Sequence, residues 1–167
     1  ELTEKLTRYQ LSSELYLIPF GAVQQRIIVT VPPAYRVVMY RRFMVRIAEK
    51  LAAQNGALAL VTGESLAQVA SQTLENISVV DEVSQMPILR PLIGMNKNEI
   101  IDISREIDTY DISIMPDQDC CSLFVPRHPV IRGRSDTVKE LEESLPVEDM
   151  VSESIEGIQV RNFAFPC

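Results

Sequence analysis

The sequence predicts an α/β fold, a parallel twisted sheet with helices on both faces, and three observations carry that prediction. Short apolar runs bounded by turn residues alternate with segments of helical spacing, the pattern of successive β-α units. The run Ala57-Leu58-Ala59-Leu60-Val61 is apolar throughout and ends in Thr62-Gly63, as a strand covered on both faces does. The 167 residues are 46% hydrophobic, enough for one domain with a real core.

Leu2 to Leu11 reads as a helix already under way, followed by a strand at Leu15 to Pro19 and a helix from Ala22 to Ile28. Pro32-Pro33 breaks the chain before a long helix from Tyr35 to Gln54. In that helix Val37, Arg41, Val45, Ala48 and Ala52 share one stripe, while Arg42, Arg46, Glu49 and Lys50 form the polar face. Arg41 on an apolar stripe needs a partner, and a carboxylate or a ligand phosphate would serve. The strand Ala57–Val61 then feeds a helix carrying Leu66, Val69, Ala70 and Thr73. A short strand at Ile88-Leu89 precedes a helix from Lys97 to Ile107, where Asn96 and Glu99 have capping-box spacing. A last helix is expected from Asp136 to Leu145, and the strands of the sheet are expected to run parallel.

The junction at Thr62-Gly63-Glu64-Ser65 has the greatest chemical content. Gly63 permits a tight turn or a close ligand approach, and a helix opening there would offer its amides to an anion; an ordinary turn is the alternative. Lys97 stands in the first turn of its helix, poorly placed for the dipole but well placed to meet an anion, or else simply solvated. Cys121 follows Pro116-Asp117-Gln118-Asp119-Cys120 in a polar loop, where a thiol is accessible as a nucleophile or sulfur carrier. The flanking acids would raise its pKa, against a strongly activated thiolate. His128 is the one histidine, and a lone loop histidine is ordinarily surface.

Net charge is −7, and its distribution is uneven. From Asp136 to Val160 there are eight acids against Lys139 alone, while the remaining fifteen acids are balanced by fifteen bases. Such an end repels a phosphate backbone, so nucleic-acid affinity is expected to come mostly from elsewhere. No apolar run is long enough to cross a bilayer, so no membrane partner is expected. Three cysteines without metal spacing make neither a disulfide framework nor a metal site, so no protein-bound metal is expected and a cytoplasmic location fits.

Taken together, Leu60-Val61-Thr62-Gly63-Glu64-Ser65-Leu66 through Gln72-Thr73, Leu89-Arg90-Pro91-Leu92-Ile93-Gly94-Met95-Asn96-Lys97-Asn98-Glu99-Ile100-Ile101, and Asp119-Cys120-Cys121 with Pro126 and Pro129 closely resemble the tRNA 4-thiouridine synthetase (ThiI) family. Met39-Tyr40-Arg41-Arg42-Phe43-Met44 looks like the family's paired-arginine helix. The resemblance covers roughly Leu15 to Pro129; the acidic end from Asp136 matches no motif. It implies a PP-loop ATP pyrophosphatase domain, related to the adenine nucleotide alpha hydrolases, that adenylates uridine 8 of tRNA. Persulfide sulfur on a cysteine then displaces AMP to give 4-thiouridine, and the family also supplies sulfur toward the thiazole of thiamine. By that resemblance Arg41, Gly63 and Gln72 contact ATP, with Mg2+ expected beside it. Lys97 stands near the reaction centre and Cys121 carries sulfur, with Cys120 its neighbour.

The family's Ser-Gly-Gly-x-Asp-Ser loop and its amino-terminal RNA-binding (THUMP) region have no counterpart here. The chain is therefore expected to be the carboxyl-terminal part of a longer enzyme with the first βα unit missing, residues 1–134 forming a partial PP-loop domain and 135–167 an acidic extension packing on it or trailing from it. By itself it is expected to be inactive and to bind ATP weakly. The implied partners are tRNA, mainly through the THUMP region, and a cysteine desulfurase delivering sulfur directly; a homodimer is admitted. Ala67 and Asp108 stand where the family usually has glycine, and Asn96 where it often has aspartate, which bears on turn geometry. Two other readings are a noncatalytic nucleotide-binding module and, through the Gly63-Glu64-Ser65 approximation of a nucleophile elbow, a serine hydrolase using Ser65 with His128.

Overall fold

A computed structural model of the chain describes residues 1–116 and 128–166. In chain order these form α1 (Leu2–Gln10), β1 (Ser12–Leu17), α2 (Gly21–Thr30), α3 (Arg36–Gln54), β2 (Leu60–Val61), α4 (Leu74–Asp81), β3 (Ile88–Leu89), α5 (Lys97–Glu106), α6 (Tyr110–Ser113), α7 (Ser135–Glu143), α8 (Val147–Glu156) and β4 (Gln159–Ala164). Single 3-10 turns occupy Pro33–Tyr35 and Ala70–Gln72.

Helix α3 is the axis of the molecule. Its start follows the two prolines, with Pro33 opening the 3-10 turn that leads into it. Its end is set by Gly56 at φ 70°, which lets Gly56 N donate to Ala53 O and Ala57 N to Ala52 O, closing a Schellman motif. Helices α2, α4 and α8 pack around α3. The core joins Val23 and Ile27 of α2, Met39, Tyr40 and Phe43 of α3, Val80 of α4, Val138 of α7 and Met150 of α8. Phe20 meets Tyr40 edge to face at 6.2 Å between ring centres.

This enclosure corrects the expected faces of α3. Arg42, assigned to the polar face, is 2% exposed, whereas the side chain of Arg41 is 21% exposed. The buried guanidinium is accommodated by Glu142 of α7: Arg42 Nε donates to Oε1 at 3.1 Å and Nη2 to Oε2 at 2.6 Å, while Nη1 donates to Val79 O. Arg46 Nη2 adds a bond of 2.9 Å to Glu142 Oε2. Burial pushes the Glu142 carboxyl up, but the hydrogen bonds and charges of Arg42 and then Arg46 outweigh it and hold the group below its ordinary value. One of the eight clustered acids is therefore an internal counter-ion.

The mixture of helices and strands is as expected, but the described strands form two separate two-stranded sheets. Strands β2 and β3 run parallel, with Leu60 opposite Ile88 and Val61 opposite Leu89. Strand β1 instead runs antiparallel to β4, from Ser12 opposite Ala164 to Leu17 opposite Gln159. Neither α8 nor β4 was anticipated from sequence. The predicted buried strand Ala57–Val61 also shrinks to its last two residues, with Leu58 87% and Val61 67% exposed.

The largest correction concerns the segment after Gly63, which is not a helix. Ser65 is buried and its Oγ donates to Met95 O at 2.6 Å, while Leu66 N donates to Ile93 O at 3.0 Å. These bonds hold the chain against the segment before α5, and the loop closes through Ala67 N donating to Gln72 O. The helix begins only at Leu74, capped by Thr73, whose Oγ1 accepts from Asn76 N at 3.2 Å. Gly63 therefore does not open a helix.

Ala67 sits at φ 61° and Asp108 at φ 55°, a left-handed backbone that glycine adopts without a Cβ penalty. A left-handed residue with a Cβ costs about 1–2 kcal/mol, and glycine returns part of that as unfolded-state entropy. Ala67→Gly is expected to stabilise the chain by about 0.5–1 kcal/mol, read as a higher denaturation midpoint at unchanged m-value.

Candidate functional site

Three elements, α3, β2 and the 3-10 turn Ala70–Gln72, converge at the carboxyl end of β2. Arg41 projects from the second turn of α3 and pairs with Glu64, the residue after Gly63. On its other side Arg41 Nη1 donates to Ser71 Oγ at 3.4 Å, reaching the 3-10 turn that ends in Gln72. A carboxylate thus meets Arg41, as one of the two sequence readings required. The arrangement brings the environments of Arg41, Gly63 and Gln72 into one wall.

A cleft of about 270 Å3 opens beside this wall. Met44, Val45 and Ala48 of α3, Leu60 and Val61 of β2 and Val80 of α4 make it apolar, and Arg41, Thr62 and Glu64 supply its polar end. An apolar slot with a few convergent polar groups is the usual form of a small-molecule site. A larger cleft of about 470 Å3 lies between α1 and Phe165-Pro166 and holds none of the sequence-predicted site residues.

Gly63 is exposed, and an added Cβ would meet nothing within 4 Å, so the fold itself does not demand glycine there. The expected tight turn is corrected accordingly, and the alternative reading, close approach of a ligand, belongs to the proposal below. Among the described residues the amides of Gly63, Glu64 and Ser65 make no backbone hydrogen bond, whereas Thr62 N and Leu66 N on either side donate to Leu89 O and Ile93 O. Gln72 Oε1 is buried and accepts no hydrogen bond among the described residues.

Lys97 is exposed at the first position of α5. The expected capping box is present: Asn96 Oδ1 accepts from Asn98 N at 2.9 Å and Glu99 N at 3.2 Å, and Glu99 Oε2 accepts from Asn96 N at 2.6 Å. Lys97 reaches the wall only indirectly, through the bond from Ser65 to Met95 two residues earlier. Cys120 and Cys121 lie outside the described residues. Ser65, offered as a hydrolase nucleophile, has its hydroxyl engaged with Met95 O and stands on no strand-to-helix elbow, while His128 is exposed.

Sequence reasoning passed over Glu64, Arg90 and Asn76. Arg90 Nε donates to Glu64 Oε2 at 2.6 Å and its other nitrogens grip Asp81. Asn76 is fully buried and ties the turn at Ala70 to the segment 130–133. The one available signal was an acid next to a glycine at a strand end, opposite an arginine on an apolar stripe.

The family model described as "Thiamine biosynthesis protein (ThiI)" matches residues 1–147. A probable tRNA sulfurtransferase of Thermus thermophilus is 50% identical over 165 residues, covering 99% of this chain and 41% of that protein. One of Halothermothrix orenii is 49% identical over 162 residues, covering 96% of this chain and 41% of that protein. The crystal structure of a 4-thiouridine synthetase–RNA complex with bound ATP matches with a TM-score of 0.91 and 37% identity, covering 97% of this chain and 43% of the other. The chain spans about two fifths of the length of these relatives. With a family match across nearly the whole chain, and a closely similar fold in a 4-thiouridine synthetase, the protein belongs to the ThiI family.

Proposed function

We propose that these residues form part of a cytoplasmic tRNA sulfurtransferase that uses ATP to adenylate uridine 8 of tRNA and then transfers persulfide sulfur to give 4-thiouridine. The same sulfur would also serve thiazole synthesis for thiamine. The observation that carries the reading is the wall in which one guanidinium, Arg41, reaches both Glu64 beside Gly63 and Ser71 beside Gln72. It is supported by relatives named tRNA sulfurtransferases and by a structural neighbour that holds ATP and RNA.

The residues present fit a nucleotide. The orphaned acceptor Gln72 Oε1 suits the exocyclic amine of adenine, the amides from Gly63 to Ser65 suit phosphate or ribose oxygens, and Arg41 places a fixed donor between them. When bound, ATP supplies the activating adenylyl group, and Mg2+ is expected with it. Lys97, exposed at the start of α5, is proposed to face the reacting phosphate, and Cys121 to carry the sulfur, fed by a cysteine desulfurase. In the whole protein residues 1–134 are proposed to complete a parallel PP-loop sheet whose first βα unit lies outside them, with 135–167 as an extension; tRNA would be held mainly by a THUMP region, and a homodimer is admitted.

The test is thiolation of unmodified tRNA by the complete natural polypeptide containing these residues. Cys121→Ser is expected to abolish 4-thiouridine formation while ATP binding persists. Loss of thiolation in Cys120→Ser with full activity in Cys121→Ser would overturn the assignment.

A further inference from the structure

Glu64 lies directly after Gly63, yet it is 4% exposed, and each carboxylate oxygen faces a cation. Oε1 faces Arg41 Nη2; Oε2 accepts from Thr62 Oγ1 at 2.9 Å and from Arg90 Nε at 2.6 Å. Behind it Arg90 Nη1 donates to Asp81 Oδ2 at 3.0 Å and Nη2 pairs with Oδ1. The four groups alternate in sign from the cleft through a buried centre and back toward solvent: Arg41, Glu64, Arg90, Asp81. Such a chain has no net charge, so it adds little to the attraction of a polyanion. What it does supply is rigidity, because a planar guanidinium held by a buried carboxylate on one side and by Ser71 on the other keeps one orientation at the polar end of the cleft.

We propose that Glu64 is a positioning residue for nucleotide binding. It acts through Arg41 by fixing the guanidinium at the polar end of the cleft, and the Arg90–Asp81 pair fixes Glu64 in turn. This rests on the reading that Arg41 contacts ATP. An unrestrained arginine in the second turn of α3 has several rotamers open to it and loses that freedom when a ligand orders it; here the cost is met on folding. The carboxylate is withheld from the ligand because both of its oxygens are engaged.

The experiment is a double-mutant cycle in the complete natural polypeptide, with ATP binding followed by calorimetry and thiolation kinetics run in parallel. Glu64→Gln is expected to weaken ATP binding about tenfold, raising the KM for ATP while kcat stays within about twofold. In an Arg41→Ala background the same change is expected to add almost nothing, because the residue through which Glu64 acts is gone. Asp81→Asn, at a side chain 38% exposed and so tolerant of replacement, is expected to give a smaller rise of about threefold through the same route and reads the network should Glu64→Gln not fold. Equal losses from Glu64→Gln in both backgrounds, or a fall in kcat at unchanged KM, would overturn the positioning role. Unchanged ATP affinity in Arg41→Ala would instead overturn the nucleotide reading beneath it.

Discussion

Replacing Glu142 by alanine is expected to destabilise the chain by about 3 kcal/mol or more, the cost of leaving a buried guanidinium with only the more distant Glu82, at 3.8 Å, as counter-charge. Arg42 is 2% exposed and cannot turn to water, and its bidentate bond to Glu142 is the main compensation for its burial. Because α7 carries Glu142 while α3 carries Arg42, the loss should also loosen the packing of Val138 against the core. Thermal unfolding is expected to shift down by on the order of 10 °C. Converting both partners, as Arg42→Met with Glu142→Leu, is expected to recover most of that loss, since an apolar pair of similar volume needs no counter-ion. A double variant as unstable as the single one would show that the pair contributes shape rather than charge compensation. The pH dependence has a definite sign. The folded-state pKa of Glu142 is depressed, so its contribution is present above the unfolded-state value and is lost as the pH falls through the folded one. Wild-type stability should therefore fall more steeply below about pH 5 than that of the alanine variant.

Asn76→Ala is expected to cost on the order of 4 kcal/mol, about 1–2 for each of three backbone groups left unpaired. Its Nδ2 donates to Ala70 O at 2.7 Å and Val130 O at 2.8 Å, and its Oδ1 accepts from Gly133 N at 2.9 Å. The fit is close enough that a Cβ on Gly133 would stand 2.7 Å from that oxygen. Asn76 therefore joins the turn that presents Ser71 and Gln72 to the segment that follows residue 127. Beside it Thr73 Oγ1 donates to Ile131 O at 2.8 Å, a second tie between the same parts. Asn76→Asp keeps the acceptor but turns the two donors into a carboxylate facing carbonyls, so it should be as unstable near neutrality and gain stability on acidification. Denaturant melts at two pH values distinguish these outcomes; equal stability of Asn76→Ala and wild type would contradict the account.

Local rules carried part of the fold and none of its long-range pairings. The end of α3 at Gln54, the proline break before it and the Asn96/Glu99 capping box are local features, and each lies where the sequence places it. The segment 64–73 has helical spacing, but Ser65 and Leu66 find partners at Met95 and Ile93, and tertiary hydrogen bonds override the periodicity. The pairing of β1 with β4 joins opposite ends of the chain, and no local pattern announces it. Arg41 and Arg42 could not be ranked from periodicity because α3 is packed on several sides, so that its nominal polar face meets α7. At the site, Arg41 was legible as a charge in need of a partner; that Glu64 is the partner, with Arg90 behind it, became visible only once β2 and β3 lay side by side.

The most direct measurement is a crystal structure of the complete natural polypeptide with a non-hydrolysable ATP analogue. The account predicts the analogue at the carboxyl end of β2, with the Gly63 backbone, the Arg41 guanidinium and the Gln72 carboxamide all within hydrogen-bond distance of it and the Arg41–Glu64 pair intact. An analogue seated with none of those three groups within reach would contradict it.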